Sequence, residues 1–239
     1  MSTSKVLAIV AIAVALAIIA ASTAAGLTNE FRAARKLKAN PEHGRALFTS
    51  CATCHQPDGA GRAKDGIPSI AGQHYQFVLE QLVDFRESER LDLRMNAATA
   101  PHALKGPQDL ADVAAYVADL PPVATSDTGP GEFLNVGQNV YARACSHCHG
   151  VTAEGNGKLR YPRLAGQQYG YLKRQMEIMV AGDRPHLSWD HMKLLESLTP
   201  EEKNGVAGYL ARLNAAAPQV AATSVDGREV DARVDDGAR

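Results

Sequence analysis

Cys51-Ala52-Thr53-Cys54-His55 and Cys145-Ser146-His147-Cys148-His149 decide how this chain is read. Between them they hold all four cysteines of the 239 residues, so no thiol is left for a structural disulfide or a lone nucleophile. Outward from these pentapeptides the two halves stay in register. Cys51 meets Cys145, Pro68 meets Pro162, Ala71-Gly72-Gln73 meets Ala165-Gly166-Gln167, Tyr75 meets Tyr169 and Gln81 meets Gln175, each 94 residues on. Self-similarity at a fixed period means a duplicated unit. After a one-residue slip, helical patterns over 107–120 and 200–213 also correspond, with Tyr116 and Tyr209 in equivalent places.

The repeat divides the chain into domains at 41–120 and 132–213, joined by a Pro-, Gly- and Ser-containing linker at 121–131. Each domain reads as all-α. A first helix (41–49 and 136–144) runs into the pentapeptide, a Gly- and Pro-rich loop follows, and a second helix (73–87 and 167–180) starts after Ala-Gly. The last helix closes the unit, with Pro107 and Pro200 suited to its first turn and Thr199 and Glu202 spaced as a capping box. No alternating strand pattern of useful length appears. The stretch 214–239 turns Ala-rich and then acidic, and reads as a flexible tail.

Residues 1–28 carry Lys5 and then an apolar run, long enough for a signal-peptide core at 6–21 or, with its flanks, for a membrane anchor. A basic stalk over 29–40, with Arg32, Arg35, Lys36 and Lys38, favours retention, since it would otherwise be an unexplained leader. Either way the remainder is exported, to the periplasmic side of a bacterial inner membrane. A net charge of −1 lacks the basic footprint of a nucleic-acid binder.

On a helical turn, cysteines at i and i+3 project from one face with a histidine beside them at i+4. Two thiols then bond the edge of a porphyrin while the imidazole reaches its iron, so two pentapeptides predict two covalent haem c groups, bound by Cys51, Cys54 and His55 and by Cys145, Cys148 and His149. The bland readings are weaker. Zinc knuckles lie closer together and need no histidine after the second cysteine, and a thioredoxin-like pair needs a βαβ context.

With these motifs in hand the chain resembles the dihaem cytochrome c4 family, two class I cytochrome c domains in tandem. The resemblance spans roughly 41–213 and is carried by the duplicated C-x-x-C-H, by Pro68-Ser69-Ile70-Ala71-Gly72-Gln73 and Pro162-Arg163-Leu164-Ala165-Gly166-Gln167, by the 81–86 helix and by the closing helix with its tyrosine. It implies that Pro68 and Pro162 help orient the proximal imidazoles through a backbone carbonyl. It also implies a sixth iron ligand from later in each domain, commonly methionine. Met95 and Met192 stand before the closing helices and are the expected metal ligands with His55 and His149. His102 competes with Met95, and His191 is a weaker rival of Met192. Met176 and Met179 are expected in the core, Tyr75 and Tyr169 in the core or at a haem edge, and His43, His74, His147 and His186 at the surface.

Two six-coordinate haems make an electron carrier and leave no catalytic residue to name. The family resemblance implies a quinol-oxidising complex or a dehydrogenase as donor and a terminal oxidase as acceptor. The rival classes are a dihaem oxidoreductase of the thiosulfate dehydrogenase or peroxidase type and a fixed subunit of a membrane complex. Residues 42–120 hold 11 acidic against 7 basic side chains, and 131–213 hold 8 against 10. Such a difference in sign offers different faces to donor and acceptor.

Overall fold

The structure is a computed structural model and describes residues 29–213. The segment 1–28, expected as a signal peptide or anchor, and the tail 214–239 lie outside it. Among the described residues no helix is long and apolar enough to cross a membrane.

The basic stretch expected as a stalk is docked on the first domain. Residues 29–36 form a helix (α1), Ala34 is fully buried in the first core with Phe31 packed beside it, and Glu30 pairs with the buried Arg86. The reason is spacing. Phe31 and Ala34, three apart, share one helix face.

Each domain then repeats one helical plan. In the first, α2 (Pro41–His55) carries the pentapeptide at its C-terminal end, α3 (Tyr75–Arg86) follows the Ala-Gly turn, α4 (Leu93–Thr99) is short, and α5 (Pro107–Asp119) closes the unit. In the second the counterparts are α6 (Leu134–Val140) with α7 (Ser146–His149), α8 (Tyr169–Val180), α9 (Trp189–Ser197) and α10 (Pro200–Arg212). The closing helices are apolar on the face turned inward. Leu110, Val113 and Val117 enter the first core with Phe48 and Leu79, while Val206 and Leu210 enter the second with Tyr141 and Leu172. Two isolated bridges, Arg62 to Ile67 and Asn156 to Tyr161, pin equivalent loops.

The first helices cross the closing ones at glycine. A Cβ on Gly44 would lie 2.0 Å from the carbonyl oxygen of Asp112, and one on Gly137 would lie 2.0 Å from that of Gly205, so in both domains the backbones touch. Yet Gly44 precedes Cys51 by seven residues, whereas Gly137 precedes Cys145 by eight. The extra residue is taken up by a π-helical turn over Tyr141–Cys145, between α6 and α7. Had the helix stayed regular, one added residue would have swung the pentapeptide by about 100°. The π-turn absorbs it. Glycine therefore stays at the crossing, and Phe48 against Tyr116 (5.1 Å between ring centres) is matched by Tyr141 against Tyr209 (5.7 Å). The single helix expected over 136–144 is for this reason a broken one.

Candidate functional site: two haem-binding crevices and the seam between them

In each domain the pentapeptide ends the helix that glycine seats on the closing helix. Cys51, Cys54, Cys145 and Cys148 are half-buried and form no disulfide with one another. Burial pushes the Cys145 thiol up to about 11 and raises that of Cys51 as well. A redox-active dithiol needs the opposite shift. Among the described residues no three or more His, Cys, Asp or Glu side chains converge as a metal-ion cluster, so the two cysteine pairs do not meet around one zinc.

The histidines are set identically. His55 Nδ1 lies 3.1 Å from the carbonyl oxygen of Pro68, and His149 Nδ1 lies 3.1 Å from that of Pro162. Only a protonated Nδ1 donates to a carbonyl, so each imidazole has its Nε2 lone pair free for a metal. Burial, opposed by these hydrogen bonds, lowers the pKa of both histidines and keeps them neutral. Gly61 and Gly155 donate their N–H groups to the His55 and His149 carbonyls at 2.8 and 2.7 Å, tying each loop to the end of its pentapeptide helix. Thiols at i and i+3 with a tautomer-locked imidazole beside them are the donor set a covalent haem takes.

The residues expected to supply the second ligand lie on helices the sequence pattern does not announce. Met95 lies on α4 and packs against the first core. His102 falls beyond α4 and is exposed. In the second domain Met192 and His191 are neighbours on α9, and the His191 ring centre lies 6.1 Å from that of His149. Met176 and Met179 pack in the second core, as do Tyr75 and Tyr169 in theirs.

A model of the cytochrome c family matches residues 41–121 and again 135–214. The chain belongs to the cytochrome c family. Within it, the duplicated domain places this cytochrome with the dihaem c4 proteins. Cytochrome c4 of Azotobacter vinelandii is 28% identical over 189 residues, covering 72% of this chain and 88% of that protein. The thiosulfate dehydrogenase electron acceptor of Thiomonas intermedia is 30% identical over 175 residues, covering 68% and 77%. The crystal structure of reduced cytochrome c4 from Pseudomonas stutzeri superposes with a TM-score of 0.64 at 23% identity, over 74% of this chain and all of that one, which shows the shared fold. The cytochrome accordingly carries two covalent haem c groups, and it transfers electrons.

The two haem domains of the cytochrome meet across a pseudo-twofold seam. Gln73 donates to the Arg163 carbonyl at 3.0 Å and accepts from the Arg163 N–H at 2.9 Å. Gln167 donates to the Ser69 carbonyl at 2.8 Å and accepts from the Ser69 N–H at 3.2 Å. Thus the Ala-Gly-Gln elements that carry the resemblance also clasp the domains together. A second pair sits on the same axis. Arg90 donates to Gln81 at 2.7 Å and to Gln175 at 2.9 Å, and Arg184 donates to Gln81 at 2.9 Å and also to Gln175. Burial and the neighbouring Arg90 lower the Arg184 pKa to about 10. Sequence reasoning missed this pair, although Arg90 and Arg184 keep the 94-residue offset.

Of the histidines assigned to the surface, His43 and His186 are exposed there yet keep a partner, and His74 is half-buried. His74 Nε2 reaches the Glu154 carbonyl at 2.8 Å and His186 reaches Asp84 at 3.1 Å, both across the seam, while His43 reaches the buried Asp112 at 2.8 Å. His147 is exposed.

Proposed function

We propose that this cytochrome is a two-haem electron carrier on the periplasmic side of a bacterial inner membrane. It takes electrons from a quinol-oxidising complex or a dehydrogenase and passes them to a terminal oxidase. The observation that carries the reading is the paired setting of the crevices. Both proximal imidazoles are locked on a proline carbonyl, and each domain carries a methionine on a short capped helix that precedes its closing helix. When bound, the haem iron supplies a reversible one-electron couple. The chain's own part would be to supply the iron with a histidine and a second side-chain ligand in each domain, leaving no coordination site for a substrate. Met95 is the distal ligand of the first haem, for it packs in the core while His102 is exposed. The excess of acid in the first domain and of base in the second gives partners two distinguishable faces. The segment 1–28 tethers the carrier or directs its export.

A narrower reading concerns the donor. The relative from Thiomonas intermedia bears a name that makes it an acceptor for thiosulfate dehydrogenase, and this favours such an enzyme as the dehydrogenase here. The reduced protein, mixed with oxidase-containing membranes, is expected to be reoxidised with uptake of oxygen, and its ferrous haems to bind carbon monoxide only slowly. Immediate carbon monoxide binding by one haem, with no turnover by the membranes, would show the dihaem oxidoreductase in its place.

A further inference from the structure

The seam repeats itself about its pseudo-twofold axis, and its two ends are closed by different residues. Gly66 in the first domain corresponds to Arg160 in the second, and Glu80 on α3 corresponds to Arg174 on α8, each 94 residues on. At one end Arg174 reaches across, donates to the Gly66 carbonyl at 2.6 Å and lies over the Tyr171 ring at 5.3 Å. A Cβ on Gly66 would run into that guanidinium. At the other end the long side chain comes from the loop instead. Arg160 pairs with Glu80 at 2.9 Å and lies over the Phe31 ring of α1 at 5.8 Å.

The turn itself does not call for arginine at 160. Gly66 holds φ +68°, where glycine is at ease, and Arg160 holds 59° in the equivalent turn, a region that side-chain-bearing residues rarely adopt. Such a conformation persists where its surroundings fix it. Around Arg160 they are the Glu80 carboxylate, only 14% exposed, and an aromatic face. A guanidinium suits both, since its planar cation pairs with a carboxylate and stacks on a ring. Phe31 in turn packs against the first core beside the fully buried Ala34. Residues 121–131, ahead of the second domain, hold no helix to match α1, so α1 serves the seam on the Arg160 side alone.

We propose that Arg160 is a positioning residue for electron transfer between the two haems: its grip on Glu80 and Phe31 fixes the second domain on the first, and α1 is part of that joint. The inference rests on the reading of the chain as a two-haem carrier and adds which contacts hold its haem domains in place.

The test uses the full-length holoprotein and the variant Arg160→Gly, which restores the residue of the first domain. Glycine relieves the turn, so the melting temperature followed by haem absorbance should equal that of the parent or exceed it. Hydrogen exchange at the Ser69 amide, which lies in the other domain, should nonetheless quicken about fivefold, as the loss of a half-exposed ion pair and a cation–π contact implies. Equilibration of one photo-injected electron between the haems should slow. Arg160→Lys, which keeps the charge, should restore part of both effects, and Phe31→Leu added to Arg160→Gly should change little further. Parental exchange at Ser69 in Arg160→Gly overturns the joint. Faster exchange with unaltered electron equilibration makes Arg160 a structural contact only and overturns its positioning role. Carbon monoxide binding, measured on the same sample, judges the carrier reading separately, because exchange at Ser69 is read without any turnover.

Discussion

Gly44→Ala adds one methyl group where two backbones already touch. The new Cβ would fall 2.0 Å from the Asp112 carbonyl oxygen and 3.0 Å from the Tyr116 Cβ, while ordinary contact begins near 3.4 Å, so α2 and α5 must part by about 1.4 Å (3.4 less 2.0). Neither the carbonyl oxygen nor the Cβ has a rotamer to escape into. Overpacking of this kind costs about 1–3 kcal/mol, usually at the upper end where the obstacle is backbone. Alanine gives back about 1 kcal/mol as the better helix former. Parting the helices also loosens Phe48 against Tyr116, an aromatic contact of the sort worth about 1 kcal/mol. The balance is a loss of about 2 kcal/mol, or roughly 10 °C in the melting temperature of a domain this size. Urea and thermal unfolding, followed by the haem absorbance of the holoprotein, read it directly. The equivalent Gly137→Ala should produce a loss of similar size. A Gly44→Ala protein as stable as the parent, or more so, would mean that helix propensity prevails and that the close crossing does not exist in solution.

The seam and its acid yield two more expectations. Replacing both Gln73 and Gln167 with Leu removes four hydrogen bonds between the domains at about 1 kcal/mol each. Hydrogen exchange at the Ser69 and Arg163 amides should quicken while helix content is unchanged, and unaltered exchange would refute the clasp. Asp84 has its pKa raised from 3.8 to about 6, chiefly by burial, with His186 opposing the shift. The folded protein thus keeps a proton between about pH 4 and 6 that the unfolded chain has released, and this group's contribution to stability falls as pH rises through that window. Urea midpoints measured from pH 4 to 7 should show that slope in the parent and a flatter one in Asp84→Asn, and equal slopes would count against it.

Much of this was legible in the sequence because haem attachment is local. Two thiols and an imidazole on one helical turn need no distant partner, so Cys51, Cys54 and His55 and their counterparts declare the cofactor by themselves, and the repeat doubles the signal. The short helices α4 and α9 were not legible by periodicity, since seven and nine residues hold too few turns to show an apolar stripe. Their caps, Asp92 and Ser188, were the readable sign. The π-turn left only an unexplained one-residue difference between Gly44 and Gly137. The seam was hidden for another reason. A repeat tells that Gln73 and Gln167 are equivalent, but which surface they serve depends on how two domains dock, and no local pattern encodes that.

The reciprocal amide clasp bears on how the halves have been able to diverge. Each glutamine reads only the main-chain N–H and carbonyl of the residue it grips. Those residues are Ser69 on one side and Arg163 on the other, a small hydroxyl facing a long cation at matched positions. Since no bond in the clasp consults their side chains, the half-buried Ser69 and the buried Arg163 can differ in charge and shape while the clasp stays put. A duplicated protein can in this way let its copies diverge in sequence without loosening the joint between them.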